Sequence, residues 1–326
     1  MKMQVEAIGS VPVKQWKQMI QNSPTGHFFN TPNWAVILRE TYGYQIATTL
    51  FDIDGTEILV PMMEINRFPF SSLESMPLGY GGFISPSNPT PDMVQSVMKK
   101  IVGRRHLKLY MTLPPFTKIT PHEEFQIQKV QTEWNYTHVL ALDTNYEKVE
   151  EQFHKEPKKR IKMAEASGLT VRLTNDLKDF RKVYDLYTHR SIEWGYREPP
   201  HPWTLYQNLQ QYGAQHVKLR IAEINDMPVG GTITLEFKKN AFLWLILSPK
   251  EYWRYNSTYL LLKDTIQSLC ERRFSQINLG GSGKLDGVRH FKERFGGRMV
   301  PLYRYEAYSL LGKILIHRTR GILRKV

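Results

Sequence analysis

The chain offers few side chains whose type and spacing suit chemistry, and most of them are cationic. Lys292 lies in Phe291-Lys292-Glu293-Arg294-Phe295-Gly296-Gly297, a short amphipathic stretch closed by a glycine pair. A lysine so placed either meets negative charge or is a solvated cation beside Glu293. Gly280-Gly281-Ser282 follows an apolar run, where glycine lets the backbone come close to a substrate or a neighbouring strand. Arg197, in Gly195-Tyr196-Arg197-Glu198-Pro199-Pro200, carries a planar guanidinium fork, and a loop arginine is more often simply hydrated. Lys158, Lys159, Arg160 and Lys162 crowd a helix start beside Pro157, an end where the helix dipole disfavours cations. Nucleic-acid phosphates, acidic lipid head groups or plain water would each compensate them.

Other chemistries lack their patterns. His27, His138, His189, His201 and His290 are scattered, with no HExxH helix and no GxSxG elbow. The single Cys270 has no Cys or His at metal-ligand spacing, so no metal is expected and no intrachain disulfide is possible. The segment INLGGSGK resembles a phosphate loop only superficially. A Walker pattern needs glycine at 278 and serine or threonine at 285, where the chain has Asn278 and Leu285.

Positioning these residues requires a sizeable scaffold. The 326 residues, 41% of them hydrophobic, suffice for two cores and exclude general disorder. A lone cysteine fits a reducing cytoplasm, and the longest apolar run, 241–247, is far short of a membrane span. With 44 Lys and Arg against 31 Asp and Glu, the net charge of +13 favours a polyanionic or membrane-surface partner.

The punctuation gives the same rhythm twice. Thr31-Pro32 opens a helix that Gly43 stops, and 45–51 and 56–64 flank the hairpin turn Asp52-Ile53-Asp54-Gly55. A strand through Phe83 and Ile84, a helix over 91–102 and a strand over 107–113 complete the first half. In the second half a helix over 176–190 precedes strands at 217–224, 229–237 and 242–247. A helix over 257–272, a strand at 276–279, a helix over 288–295 and a strand over 300–308 follow. The tail 310–326 reads as a basic amphipathic helix.

Four stretches in this order, HFFNTPNWAVILRETYG, PKKRIKMAEASGLTVRL, INLGGS and FKERFGG, resemble the FemAB/FemX aminoacyltransferases and the related BioF2-like GNAT acyltransferases. The resemblance implies an α/β (α+β) chain of two tandem GNAT-like domains. The first would be 1–145 joined by the segment 309–326, and the second, 146–308, would carry the site. It implies an acyltransferase moving an aminoacyl or acyl group onto an acceptor amine, with Lys292 stabilising the transition state and Phe291 shaping the pocket. Arg197, Gly280, Gly281 and Ser282 would bind substrate, and Lys158, Lys159, Arg160 and Lys162 nucleic acid or another anion. The implied donor is charged tRNA, with acyl-coenzyme A as the alternative, and no cofactor would be required. The implied acceptor is an amine on a lipid-linked or nucleotide-linked peptidoglycan precursor, which would be met in the cytoplasm or at the inner membrane face. A GNAT pair that only binds RNA or membrane is the remaining reading.

One departure bears on the donor. GNAT enzymes that use coenzyme A cradle its pyrophosphate on a glycine-rich turn opening the helix after the third hairpin strand. Here that turn reads Tyr252-Trp253-Arg254-Tyr255-Asn256-Ser257, with no glycine, although Asn256 or Ser257 is suited to capping the helix.

Overall fold

The computed structural model describes residues 5–67, 70–102, 106–115, 136–142, 145–213 and 215–308. The chain divides into two compact units, Met1–Asn135 with Leu302–Val326, and Tyr136–Pro301.

The first unit runs β1 (Val5–Gly9), α1 (Val13–Asn22), α2 (Pro32–Tyr42), β2 (Gln45–Ile46), β3 (Thr49–Ile53), β4 (Thr56–Val60), β5 (Met63–Arg67), β6 (Phe70–Ser75), α3 (Pro91–Val102) and β7 (Lys108–Thr112). Thr31 caps α2 by accepting the Trp34 N–H, and Gly43 ends the helix at φ +71°. The Asp52 carboxylate accepts the Gly55 N–H at 2.9 Å, fixing the β3–β4 hairpin. Val94, Val97, Met98 and Ile101 form the buried stripe of α3. The run 56–64 is two strands rather than one, because Pro61 cannot donate to a ladder. Phe83 and Ile84 form no strand; Ile84 makes an isolated bridge to Leu59.

The second unit begins with β8 (Tyr136–Ala141), α4 (Tyr146–Glu151), α5 (Lys155–Ala166), β9 (Thr170–Thr174), α6 (Leu177–Glu193) and α7 (Trp203–Gly213). It continues with β10 (Val217–Ile224), β11 (Met227–Phe237), β12 (Asn240–Leu247), α8 (Ser257–Glu271), β13 (Gln276–Asn278), α9 (Asp286–Arg294) and β14 (Arg298–Pro301). Its seven strands pair in the order β14-β8-β13-β12-β11-β10-β9. Neighbours are antiparallel except β12 and β13, which are parallel and joined through α8. Leu261, Leu262, Ile266 and Leu269 of α8 close over the sheet with Leu243, Ile277 and Phe295.

The last strand, β15 (Arg304–Tyr308), pairs with β7 and returns to the first unit. The boundaries therefore fall at 135/136 and 301/302 instead of 145/146 and 308/309. On one side, β8 lies between β13 and β14 and so belongs to the second sheet. On the other, the run 300–308 is broken between β14 and β15, which serve different sheets. The tail 310–326 lies outside the described residues.

Candidate active site

Strand β13 sets the site by where it stops. Only Asn240, Ala241 and Phe242 of β12 have partners on it, and β12 runs on from Leu243 to Leu247 without one. The chain beyond Asn278 stays with β8: Leu279 N–H donates to the His138 carbonyl at 2.7 Å, and His138 N–H donates to the Gly280 carbonyl at 3.2 Å. Two parallel strands thus part company at Gly280, where their ladder has ended.

Asn278 fixes the turn at this point. Its side-chain oxygen accepts the Thr137 hydroxyl at 2.5 Å and the Gly280 N–H at 2.8 Å. Gly280 takes φ +75°, a conformation that side chains with a Cβ rarely adopt. The turn leaves the Gly281 carbonyl without a strand partner, and the Gly280 carbonyl with room for a second donor beside the His138 N–H.

Lys292 satisfies both. Its ammonium donates to Gly280 O at 2.9 Å and to Gly281 O at 2.5 Å, which accounts for two of its three N–H groups. The residue is only 6% exposed, and burial pulls its pKa down to about 8. The Lys292 ammonium, the Leu243 carbonyl and the Phe242 ring all come within 3.8 Å of the point where a Cβ on Gly280 would stand. Lys292 is thus no solvated surface charge; it stands at the apex of the strand divergence.

His138, Ser282 and Glu293 complete the surroundings. The Ser282 hydroxyl is buried with no hydrogen-bond partner. The His138 side chain is wholly buried, neither ring nitrogen has a hydrogen-bond partner, and Nε2 faces Glu293 Oε1 at 3.8 Å. Burial, and then the Lys292 charge, lower the His138 pKa, with Glu293 opposing them. Glu293 also meets His290 Nδ1 at 3.4 Å.

The other residues that stand out in the sequence lie elsewhere. The Phe291 ring packs between Tyr259 and Phe295, both centroids at 5.2 Å, and so supports α9 from the core side. Arg197 is exposed in the loop after α6, and no hydrogen bond or ion pair among the described residues joins it to Lys292. Lys158, Lys159 and Lys162 share one stripe of α5 with Lys155, lining a shallow groove that Met163 and Ala166 complete. Arg160 leaves that stripe, turning to Glu156 at 3.8 Å and to Asn256 Oδ1 at 3.4 Å.

The turn before α8 differs from the capped start its sequence suggests. Residues Lys250–Tyr255 form a 3-10 turn and Asn256 sits in the left-handed region at φ +54°. The Asn256 amide donates to the Arg254 carbonyl and its oxygen receives Arg160, so it caps nothing. Ser257 is buried with its hydroxyl unpartnered.

Sequence reasoning passes over His138 and Asn278 as site residues. Each is a polar residue inside an apolar strand pattern, and that interruption is the available signal. Among the described residues no group of three His, Cys, Asp or Glu side chains could hold a metal ion, and no helix is long and apolar enough to cross a membrane.

Comparison with known proteins bears on the fold that holds these residues. Residues 152–293, which include the splayed strands and Lys292, match the family model described as an acetyltransferase (GNAT) domain. Across both units the fold is that of FemX, whose crystal structure superposes with a TM-score of 0.73 at 10% identity, covering 96% of this chain and 99% of that one. A tandem GNAT protein from the clavulanic acid pathway gives 0.58 at 9% identity over 94% and 99% of the two chains. A DUF2156 domain assigned to a lysylphosphatidylglycerol synthetase of Agrobacterium fabrum gives 0.58 at 12% identity over 95% of each. No curated protein shows a significant match to the chain.

Proposed function

We propose, from a chain that carries a GNAT acyltransferase domain inside a FemX-like fold, that it transfers an aminoacyl group from charged tRNA to an amine of a cell-wall precursor. The observation that carries this reading is Lys292. A buried ammonium with one N–H uncommitted, at the apex of a strand divergence, suits the oxygen of a carbonyl under attack. As the amine nitrogen bonds to the carbonyl carbon, the oxygen gains negative charge, and a fixed cation there stabilises the transition state more than the ground state.

Two observations favour tRNA over coenzyme A as the donor. The turn before α8 presents Trp253, Arg254 and Tyr255 where a pyrophosphate cradle needs small residues and open backbone N–H groups. The stripe of four lysines on α5 supplies cations at the spacing of successive helical turns, with no carboxylate among the residues lining its groove. Gly281 and Ser282 would border the acyl group, and Arg197 would meet the precursor's phosphates from its loop. Those contacts are part of the proposal.

A donor comparison tests the reading. Alanyl-tRNA and acetyl-coenzyme A are each offered with a nucleotide-linked muramyl pentapeptide whose third residue is lysine, and modification of the lysine amine is followed by mass spectrometry. Alanylation is the expected result. Acetylation without alanylation would move the protein to the coenzyme A-dependent alternative.

A further inference from the structure

The reaction proposed above leaves one proton without a carrier. The attacking amine nitrogen must lose it, and Lys292 cannot take it while remaining the cation that holds the oxyanion. We propose that the proton leaves through His138, Glu293 and His290, three titratable side chains that lead from beside the buried lysine to solvent. The inference rests on the amine-acylation reading.

The line is defined by geometry. His138 Nε2 faces Glu293 Oε1 at 3.8 Å, and the other oxygen of the same carboxylate faces His290 Nδ1 at 3.4 Å. Exposure rises along it, from none at His138 to 39% at Glu293 and 51% at His290. Glu293 and His290 stand three residues apart on α9, on one helix face, and Glu293 directly follows Lys292. The His138 backbone shares the Gly280 carbonyl with the Lys292 ammonium, so the inner end of the line is tied to the site.

His138 is otherwise hard to explain. A buried imidazole with neither nitrogen at hydrogen-bond distance of a partner costs on the order of 1–3 kcal/mol, and such groups in folded proteins call for a functional account. Two charged groups face it, Lys292 and Glu293, both from α9; its strand neighbour Tyr136 presents a ring edge with centroids 5.6 Å apart. Burial and the lysine keep the ring neutral at neutral pH, ready to accept a proton. Glu293 stabilises the imidazolium once it forms, the arrangement of a base oriented by a carboxylate. A shift of about 1 Å brings Nε2 and Oε1 to hydrogen-bond distance.

The step balances. The amine lone pair forms the N–C bond while the carbonyl π pair moves to the oxygen held by Lys292. The nitrogen's surplus proton passes to the imidazole, directly or through one water, and the Nε2 proton goes to Glu293 and on to His290 and bulk water. Collapse of the intermediate breaks the bond to the leaving oxygen, which takes a proton from water.

The test uses the full chain and has one arm that needs no substrate. The imidazole C–H signals are followed by NMR through a pH titration in the wild type, Glu293→Gln and Lys292→Met. His138 is expected to titrate below 6.5 in the wild type, lower in Glu293→Gln and higher in Lys292→Met. In the second arm, with alanyl-tRNA and the muramyl pentapeptide, His138→Gln is expected to lower kcat about a hundredfold and to abolish the acid limb of the kcat profile. Glu293→Gln is expected to move that limb to lower pH.

An unmoved His138 titration in Glu293→Gln overturns the relay, as does wild-type turnover in His138→Gln. If His138→Gln fails to fold, the partly exposed Glu293→Gln decides. Loss of turnover in Lys292→Met with normal kinetics in the other two variants would remove the relay and leave the proposed function standing. Full turnover in Lys292→Met would remove the proposed role of the lysine and leave the NMR arm to judge the relay.

Discussion

The Lys292 ammonium rests 2.9 Å from the carbonyl oxygen of Gly280, a residue held at φ +75° where two parallel strands diverge. Each half of this relationship explains the other. The turn leaves the Gly281 carbonyl to be paired and a second acceptor position on Gly280 beside the His138 N–H, and the lysine finds in them the partners that make its burial tolerable. The cation is thereby fixed before any substrate arrives, the condition under which charge stabilises a transition state without reorganisation.

Replacing Lys292 separates its two tasks. Lys292→Met keeps most of the buried stem and removes the charge, so kcat with alanyl-tRNA should fall by roughly two to three orders of magnitude, in the range of a lost oxyanion donor. Because the Gly281 carbonyl loses its donor and the Gly280 carbonyl keeps only the His138 N–H, urea unfolding should show about 1–3 kcal/mol of destabilisation as well. Unchanged kinetics in a folded variant would take the residue out of the site.

Activity and stability should diverge above pH 8. The folded chain releases the Lys292 proton near pH 8, whereas an unfolded lysine holds it to about 10.4. Between those values the unfolded state binds more protons, so this group makes the fold more stable as pH rises. The same deprotonation removes the cation from the carbonyl site, so kcat should fall over the window in which the unfolding midpoint in urea rises. Lys292→Met should lose that rise in stability.

Gly297 tests how tightly α9 is seated. Its N–H donates to the Lys292 carbonyl at 3.0 Å, and a Cβ there would stand 2.8 Å from that carbonyl oxygen and 3.0 Å from Leu279 Cδ1. Backbone does not yield as a flexible side chain does, so Gly297→Ala should push the end of α9 away from β13. The expected loss is about 1–3 kcal/mol by denaturant titration, together with a fall in kcat as the ammonium leaves its carbonyls. Gly287→Ala, on the same helix with open space around it, is the control and should leave kcat unchanged and stability unchanged or raised by up to about 1 kcal/mol.

Much of this is legible in the residues, for identifiable reasons. The helix at Thr31-Pro32, the hairpin at Asp52–Gly55 and strands β10 to β12 announce themselves through caps, turns and alternation, all of which are local. The site is half legible. Lys292, Gly280 and Gly281 stand out by type and spacing, but beside Glu293 the lysine reads as a surface charge, because its burial depends on the turn beyond β13. His138 lies far upstream of that turn in the chain, and only the pairing of β8 between β13 and β14 brings them together. Arg160 shows the opposite failure: adjacent in sequence to Lys159, it is turned by the helix away from the lysine stripe and toward Asn256. β14 and β15 read as one run by their apolar content, although Pro301, where β14 ends, marks the break as Pro61 does between β4 and β5.

The α5 stripe gives the clearest separation between donor binding and chemistry. Lys155, Lys158, Lys159 and Lys162 lie on one helix face, so replacing all four with alanine should leave the fold intact, alanine being at least as good a helix former. If they meet tRNA phosphates, the logarithm of affinity should depend less steeply on the logarithm of salt, the slope shrinking by roughly 0.7–0.9 for each phosphate no longer neutralised. Fluorescence anisotropy of labelled tRNA between about 50 and 200 mM salt measures this, with about 3 units of slope expected for four phosphates. Turnover at saturating donor should stay near wild type, since none of the four touches the Lys292 cluster. Arg160→Ala is the internal contrast: outside the stripe and engaged with Glu156 and Asn256, it should leave the salt slope unchanged. A slope identical in the four-lysine variant and the wild type would remove α5 from the donor site and leave the strand divergence to be served by a donor without a polyanionic body.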